Sequence, residues 1–153
     1  MIRCTLTWVG GFFWRKSGTT ATTITALGFH RENTIARGVP FIAAEIRRRT
    51  FFASFIIDKQ VSTFIGRPPR LSRRYADVKL PLDLSDHVIM LNNEELQQKI
   101  ASLDASGWNT EGRVSRCACI RAMAIAAIAR DEILELSYDS RYSYLNDPKQ
   151  MLQ

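Results

Sequence analysis

Glu45-Ile46-Arg47-Arg48-Arg49-Thr50-Phe51-Phe52 runs on through Phe55-Ile56-Ile57-Asp58-Lys59 to Gly66-Arg67-Pro68-Pro69, and then to Asp77-Val78. This stretch decides the fold class. From Phe41 to Ile65 no proline or glycine interrupts the chain, and a helix of that length would measure about 36 Å. Its apolar residues do not form one narrow face. On a helical wheel Ile46, Ile57 and Phe64 lie on one side, Phe51 and Phe55 on another, and Phe52 with Ile56 on a third. A helix so marked must be surrounded by others to bury its area. Each buried phenylalanine would contribute on the order of 2–3 kcal/mol. The expected class is all-α, a single helical domain.

The three consecutive arginines fan out around the helix axis, so at least one of Arg47, Arg48 and Arg49 must point inward or along a packed groove. Its stem would pack, and its head would require a carboxylate. Asp58, Asp77 and Glu45 are the candidates. Gly66 stops the helix and Pro68-Pro69 prevents its resumption. Pro68 also drives Arg67 into an extended conformation. Arg67 is therefore expected as a pre-positioned guanidinium paired with Asp58 or Asp77, an anchor joined by Arg47–Arg49.

Outward from this centre, residues 1–16 hold Trp8, Phe12, Phe13 and Trp14 around Gly10-Gly11, a spacing that fits neither a clean strand nor a clean helix. Two readings stay open there: a buried entry segment, or the start of a truncated chain that has lost its upstream partner. Residues 17–28 are threonine-rich, yet Ala21, Ile24 and Leu27-Gly28 fit a helical stripe closed by a glycine. Residues 28–40 read as a connection. Residues 75–85 alternate loosely, with Pro81 and Asp83 arguing for an irregular extended segment. Residues 92–106 suggest a short amphipathic helix capped by Asn92 or Asn93, with Glu94-Glu95 in its first turn. Residues 111–138 suggest a second long helix. Val114, Cys117, Ile125, Ile128 and Leu136 make one stripe of it, and Ile120, Met123 and Leu134 another. Its many alanines would allow close helix–helix approach. The expected organisation is an N-terminal segment 1–16, a helical domain 17–139 and a polar tail 140–153.

The totals bound the class. The chain has 153 residues, 46% hydrophobic and 24% charged, enough for one domain with a core. The net charge is +6 but uneven. Residues 31–74 hold ten Lys/Arg against three Asp/Glu, and residues 77–112 two against seven. A basic middle beside an acidic segment suits internal pairing as well as an acidic partner. Three cysteines, Cys4, Cys117 and Cys119, fit a reducing compartment. With two distant histidines they make no zinc site. No apolar run reaches the roughly 18 residues of a membrane span.

No catalytic motif emerges. His30 beside Arg31 and Glu32 has no nucleophile spaced to it, and a packing histidine is the stronger reading. His87 near Asp83 and Asp86 is a weak metal signal. Cys117 and Cys119 fall in an apolar helix, where buried, inert thiols are the default. Gly10-Gly11 lacks the pattern of a phosphate loop. The basic cluster with aromatics is the one nucleic-acid candidate, but Phe51, Phe52 and Phe55 lie in a helix too apolar for a stacking platform. Beside it stands a third class, a metabolite sensor with a ligand in the helical core.

An ordered set of elements carries a resemblance. Leu27-Gly28-Phe29-His30-Arg31, the Glu45–Phe52 helix, Asp58-Lys59, Gly66-Arg67-Pro68-Pro69 and Asp77-Val78 with Pro81 resemble the regulatory middle homology region of fungal zinc-cluster transcription factors. The match runs from about Trp14 to Asp86, and 114–138 is compatible with it. Phe52 stands where that family usually has tryptophan, and Lys59 where arginine is commoner. The six-cysteine binuclear zinc cluster is absent. The resemblance implies an all-α, non-enzymatic regulatory domain of a nuclear factor, incomplete here. Its partners would be the transcription machinery or its own missing domains. It admits a dimer and needs no cofactor in this chain. Zinc and DNA contact would reside in a separate N-terminal module. The signature residues it implies are Arg47, Arg48, Arg49, Asp58, Gly66, Arg67, Pro68, Pro69 and Asp77.

Overall fold

The computed structural model describes residues 2–32, 38–112 and 114–139, with side chains described from residue 11 onward. Four α-helices carry the fold: α1 (Ile2–Ala26), α2 (Phe41–Ile65), α3 (Asn93–Ala101) and α4 (Arg116–Tyr138). Two single 3-10 turns, Arg73–Tyr75 and Val88–Met90, interrupt the long connection between α2 and α3. The described residues contain no strand. The all-α expectation holds. The expected tail 140–153 and part of the 28–40 connection lie outside the described residues.

α2 has the bounds that its punctuation dictates. Pro40 stands at its N-cap, and Gly66 closes it in the left-handed conformation at φ 62, its N–H donating to Ser62 O. α1 departs from expectation. It runs without a break across the boundary expected at residues 16 and 17, through Gly10-Gly11. The threonines, poor helix formers by propensity, are accommodated in the helix by back-bonding hydroxyls. Thr20 Oγ1 donates to Lys16 O at 3.1 Å, Thr22 Oγ1 to Gly18 O at 3.0 Å and Thr23 Oγ1 to Thr19 O at 3.0 Å. Such i−4 back-bonds satisfy the hydroxyl without breaking the ladder. The helix ends in a Schellman motif at Gly28, φ 72. Phe29 N donates to Ile24 O at 3.0 Å and Gly28 N to Thr25 O at 3.0 Å.

α3 is shorter than expected. Asn92 caps it, accepting from Glu95 N at 3.0 Å, with Glu94 and Glu95 in the first turn. It stops at Ala101 because Asp104 organises a reversal. The Asp104 carboxylate accepts from Ser106 N at 2.8 Å and Trp108 N at 2.9 Å, and Gly107 supplies a φ of 82. α4 begins later than expected, at a true cap: Ser115 Oγ accepts from Ala118 N at 3.0 Å.

The face that α4 turns inward is the second correction. Of the two expected stripes only part is buried: Cys117 and Leu134 are buried and Ile128 packs against the core, but the other aliphatic members of the first stripe face out. Val114 is 86% exposed, Leu136 56% and Ile125 44%. With Cys117 and Leu134, the buried face is made of Arg121, Ala124, Ala127 and Asp131, which belonged to neither stripe. Small residues let α4 approach the bulky face of α2, and two charged side chains bring their own partners with them. Ala124 and Ala127 join Phe51, Phe52, Phe55, Ala21 and Ile24 in one core with Leu71 and Val78. The three phenylalanine rings are fully buried. Phe51 meets Phe52 edge-on at 5.3 Å between centroids and stacks on Phe55 at 5.9 Å. They fill the space between α1, α2 and α4.

Candidate functional site

The unusual feature of this core is its charge. Glu45, Asp58, Lys59, Arg121 and Asp131 are all buried. A buried charge persists only when paired and hydrogen-bonded, and here the pairings tie separate elements together.

Lys59 is the deepest. Its ammonium lies 2.8 Å from Asp131 Oδ1 on α4 and 3.3 Å from Asp58 Oδ2. It donates to Leu71 O and lies 4.5 Å from the Phe55 ring centroid. Asp58 in turn receives Ser17 Oγ from α1 at 3.2 Å, and the backbone N–H groups of Arg70 and Leu71 at 2.9 and 3.0 Å. Asp131 accepts from Arg73 N at 3.0 Å through its other oxygen. Two adjacent residues of α2 thus tie together α1, the 70–73 backbone and α4.

A second network lies along the N-terminal half of α2. Arg48 Nε donates to Glu32 Oε1 at 2.9 Å, and Glu32 Oε2 accepts from Lys79 N at 3.1 Å. Burial pushes the Glu32 carboxyl up, but the hydrogen bonds and charges of Arg48 and Lys79 outweigh it, leaving it below the usual carboxylate value. Burial likewise opposes the Arg48 charge, and Glu32 with Glu45 overcomes it, so its pKa is raised. Glu45 Oε1 accepts from Arg49 Nε and Leu82 N, each at 3.0 Å. Arg49 also reaches Asp86 Oδ1 at 2.7 Å and Leu84 O at 2.6 Å. Arg47 donates to Leu27 O at 3.2 Å and lies over the Phe29 ring at 4.9 Å. At least one of the three arginines was expected to turn inward; Arg48 and Arg49 do, and of the expected carboxylates they meet Glu45, with Arg49 holding the connection from α2 to α3 against the helix.

A third cluster fixes the turn before α4. Asp83 Oδ1 accepts from Ser115 Oγ at 2.6 Å, and its other oxygen from Asn109 N at 3.2 Å. Arg121 donates to Pro81 O and Ser106 O and lies over Trp108 at 5.1 Å. Burial pulls its guanidinium down from the usual arginine value, against Asp104, Asp83 and Glu45.

The expected anchor differs in one member. Arg67 pairs with neither Asp58 nor Asp77. It is exposed, its guanidinium 4.8 Å from the Trp14 ring centroid, with Arg70 on the same ring at 3.8 Å. Gly66 and Pro68 are exposed and Pro69 half-buried. The turn therefore docks on α1 by cation–π contact. Asp77 serves another purpose: it accepts from Glu32 N at 2.8 Å while its own N–H donates to His30 O at 3.1 Å. Lys59 takes the place given to Arg67, because only a side chain on the inner face of α2 can reach both Asp58 and α4. Reading the sequence also missed Glu32, Arg121 and Asp131. The last two fall on the inward register of α4, and charges at 121 and 131 amid alanines were the available signal.

Among the described residues no three His, Cys, Asp or Glu gather as metal ligands. Cys117 is buried and burial pushes its thiol up, whereas Cys119, expected to be buried, is exposed. Cys4 lies outside the described side chains. No helix among the described residues is long and apolar enough to cross a membrane.

The model of the fungal specific transcription factor domain matches residues 9–150. The chain belongs to this family. The family's match covers all four helices almost entirely. Two curated relatives come from Saccharomyces cerevisiae. Pyrimidine pathway regulatory protein 1 is 30% identical over 83 residues, 54% of this chain and 9% of the relative. Activator of stress genes 1 is 37% identical over 62 residues, 40% of this chain and 6% of the relative. The chain thus spans less than a tenth of either relative's length. No solved structure matches it.

Proposed function

We propose that this domain is a regulatory, non-enzymatic element of a fungal transcription factor. It works in the nucleus through intramolecular and protein–protein contacts, with zinc and DNA bound by a separate N-terminal module. Its membership of the family supports the reading, as do relatives named as a regulatory protein and an activator of genes.

The observation that carries it is the use made of the basic residues of α2. Arg48, Arg49 and Lys59 are each committed to carboxylates within the domain, and Arg47 to Leu27 O and Phe29. A helix that reads DNA keeps such side chains free for phosphates and base edges. Here they act as internal ties, which suits a domain that transmits a conformational state between segments of a longer factor.

The test places the chain between a heterologous DNA-binding domain and an activation segment. Reporter output should change relative to the same tether without the chain, and K59M should abolish the change. Equal output with and without the chain overturns the reading. Duplex DNA should not bind the isolated chain with a steep salt dependence; such binding would favour a basic nucleic-acid module instead.

A further inference from the structure

Arg67-Pro68-Pro69-Arg70-Leu71-Ser72-Arg73-Arg74 sets one serine among four arginines in eight residues. The chain here has left α2 and not yet entered the turn Arg73–Tyr75. Ser72 is extended, at φ -129 and ψ 142, and half-buried between the exposed Arg70 and Arg74. Its hydroxyl donates to Glu135 Oε1 on α4 at 2.6 Å and accepts from Arg74 N at 3.1 Å. Arg74 Nε lies 2.7 Å from the other oxygen of Glu135. The guanidinium groups of Arg67 and Arg70 lie on the Trp14 ring and pair with no carboxylate among the described residues. Thr50 also follows three arginines, but its hydroxyl back-bonds to Ile46 O within α2 at 2.8 Å. Its arginines are engaged with Glu32, Glu45 and Leu27 O. An extended hydroxyl flanked by uncommitted guanidinium groups suits the acidic groove of a protein kinase, and a helical one beside committed arginines does not.

We propose that Ser72 is a phosphorylation site for an arginine-directed protein kinase, and that its phosphate unlatches the end of α4. Ser72 Oγ attacks the terminal phosphorus of a nucleoside triphosphate held by the kinase. The Oγ–P bond forms as the bond to the leaving nucleoside diphosphate breaks, and the hydroxyl proton passes to a carboxylate base of the kinase. The product carries a charge of about −1.5 to −2 and no proton on Oγ. The hydrogen bond to Glu135 is then replaced by repulsion at the same short distance. Arg74, whose side chain is 66% exposed, turns from Glu135 to the phosphate, and Arg70 supplies a second guanidinium. Glu135 thus loses both of its contacts with the 72–74 segment at once. Asp131, one turn earlier, keeps its hold on Lys59 and Arg73 N, so the change is confined to the last turn of α4 and the segment beneath it. Modification of Ser72 does not rest on the transcriptional reading.

Incubation of the folded 153-residue chain with ATP and a basophilic serine kinase tests it. Intact mass and fragmentation should place one phosphoryl group on Ser72. S72A should lose it, T50A should keep it, and R70Q should slow its incorporation. The phosphorylated chain should melt roughly 5 °C below the unmodified one, with faster amide exchange in the last turn of α4. E135Q removes the repelling charge, so phosphorylation should shift the midpoint of that variant much less. No incorporation, a phosphate on Thr50 or Ser115 with Ser72 bare, or a rate indifferent to R70Q overturns the site. A midpoint shift as large in E135Q as in the parent overturns the unlatching.

Discussion

Two basic residues eight positions apart separate a buried tie from a surface contact. Lys59 is fully buried between Asp58, Asp131 and Leu71 O. Replacing it by methionine keeps the stem and leaves Asp131 without its counter-charge, so K59M should lose about 3–5 kcal/mol. R67A removes only an exposed cation–π contact and should lose about 1 kcal/mol or less. Urea midpoints of the two variants check the order, and equal losses would contradict the assignment. Glu32 makes a prediction of a different kind. Its folded pKa lies below the ordinary 4.5, so its contribution is fully present above that value and is lost as pH falls through the folded value. E32Q should therefore cost about 1–2 kcal/mol at pH 7, and the gap should close as the medium is acidified below the ordinary value. Chemical melts at pH 7 and at a series of values descending below the ordinary one would show it. Which charge enters the core was not legible in the residues themselves. Arg67 has the more restricted backbone, but backbone restriction says nothing of which side of α2 faces α4.

At the scale of elements, caps decide where helices begin and end. Ser115 both caps α4 and donates to Asp83, so S115A should cost about 1–2 kcal/mol, most of it in the turn that carries Arg121's partners. A methyl group added at Gly66 would meet nothing within 4 Å, yet the backbone there holds a φ of 62. G66A should therefore cost about 1 kcal/mol for conformation alone. Thermal melts of both variants measure the difference. The legible parts of the fold are of this local kind. Pro40, Gly66 and the proline pair bounded α2, Gly28 closed α1, and Asn92 opened α3. The illegible parts needed a partner. Gly10-Gly11 does not break α1, and the inward face of α4 is set by how closely alanine allows α2 to approach rather than by its more apolar stripe.

Across the whole molecule, the ties converge. Ser17 of α1, the 70–73 backbone and Asp131 of α4 all reach the Asp58-Lys59 pair. None of these parts can leave without exposing an unpaired charge, so α1, α2 and α4 should open as one unit. Amide exchange in the three helices should share a single protection level. K59M should split it, with α4 exchanging faster than α2. A parent protein in which α4 already exchanges independently would contradict this reading. The family resemblance belongs to this scale as well. Its ordered elements were legible because several of them are points where the network closes: Phe29 and His30 in the Leu27–Arg31 element, Arg47 to Arg49, Asp58-Lys59 and Asp77.

Trp14 lies beneath two guanidinium groups, those of Arg67 and Arg70, whereas Trp108 lies beneath Arg121 at the far turn. The environment of each indole is set by cations from a different segment. Their emission is thus an intrinsic optical gauge of two separate joints: Trp14 reads whether the proline turn is seated on α1, and Trp108 whether the loop before α4 is closed.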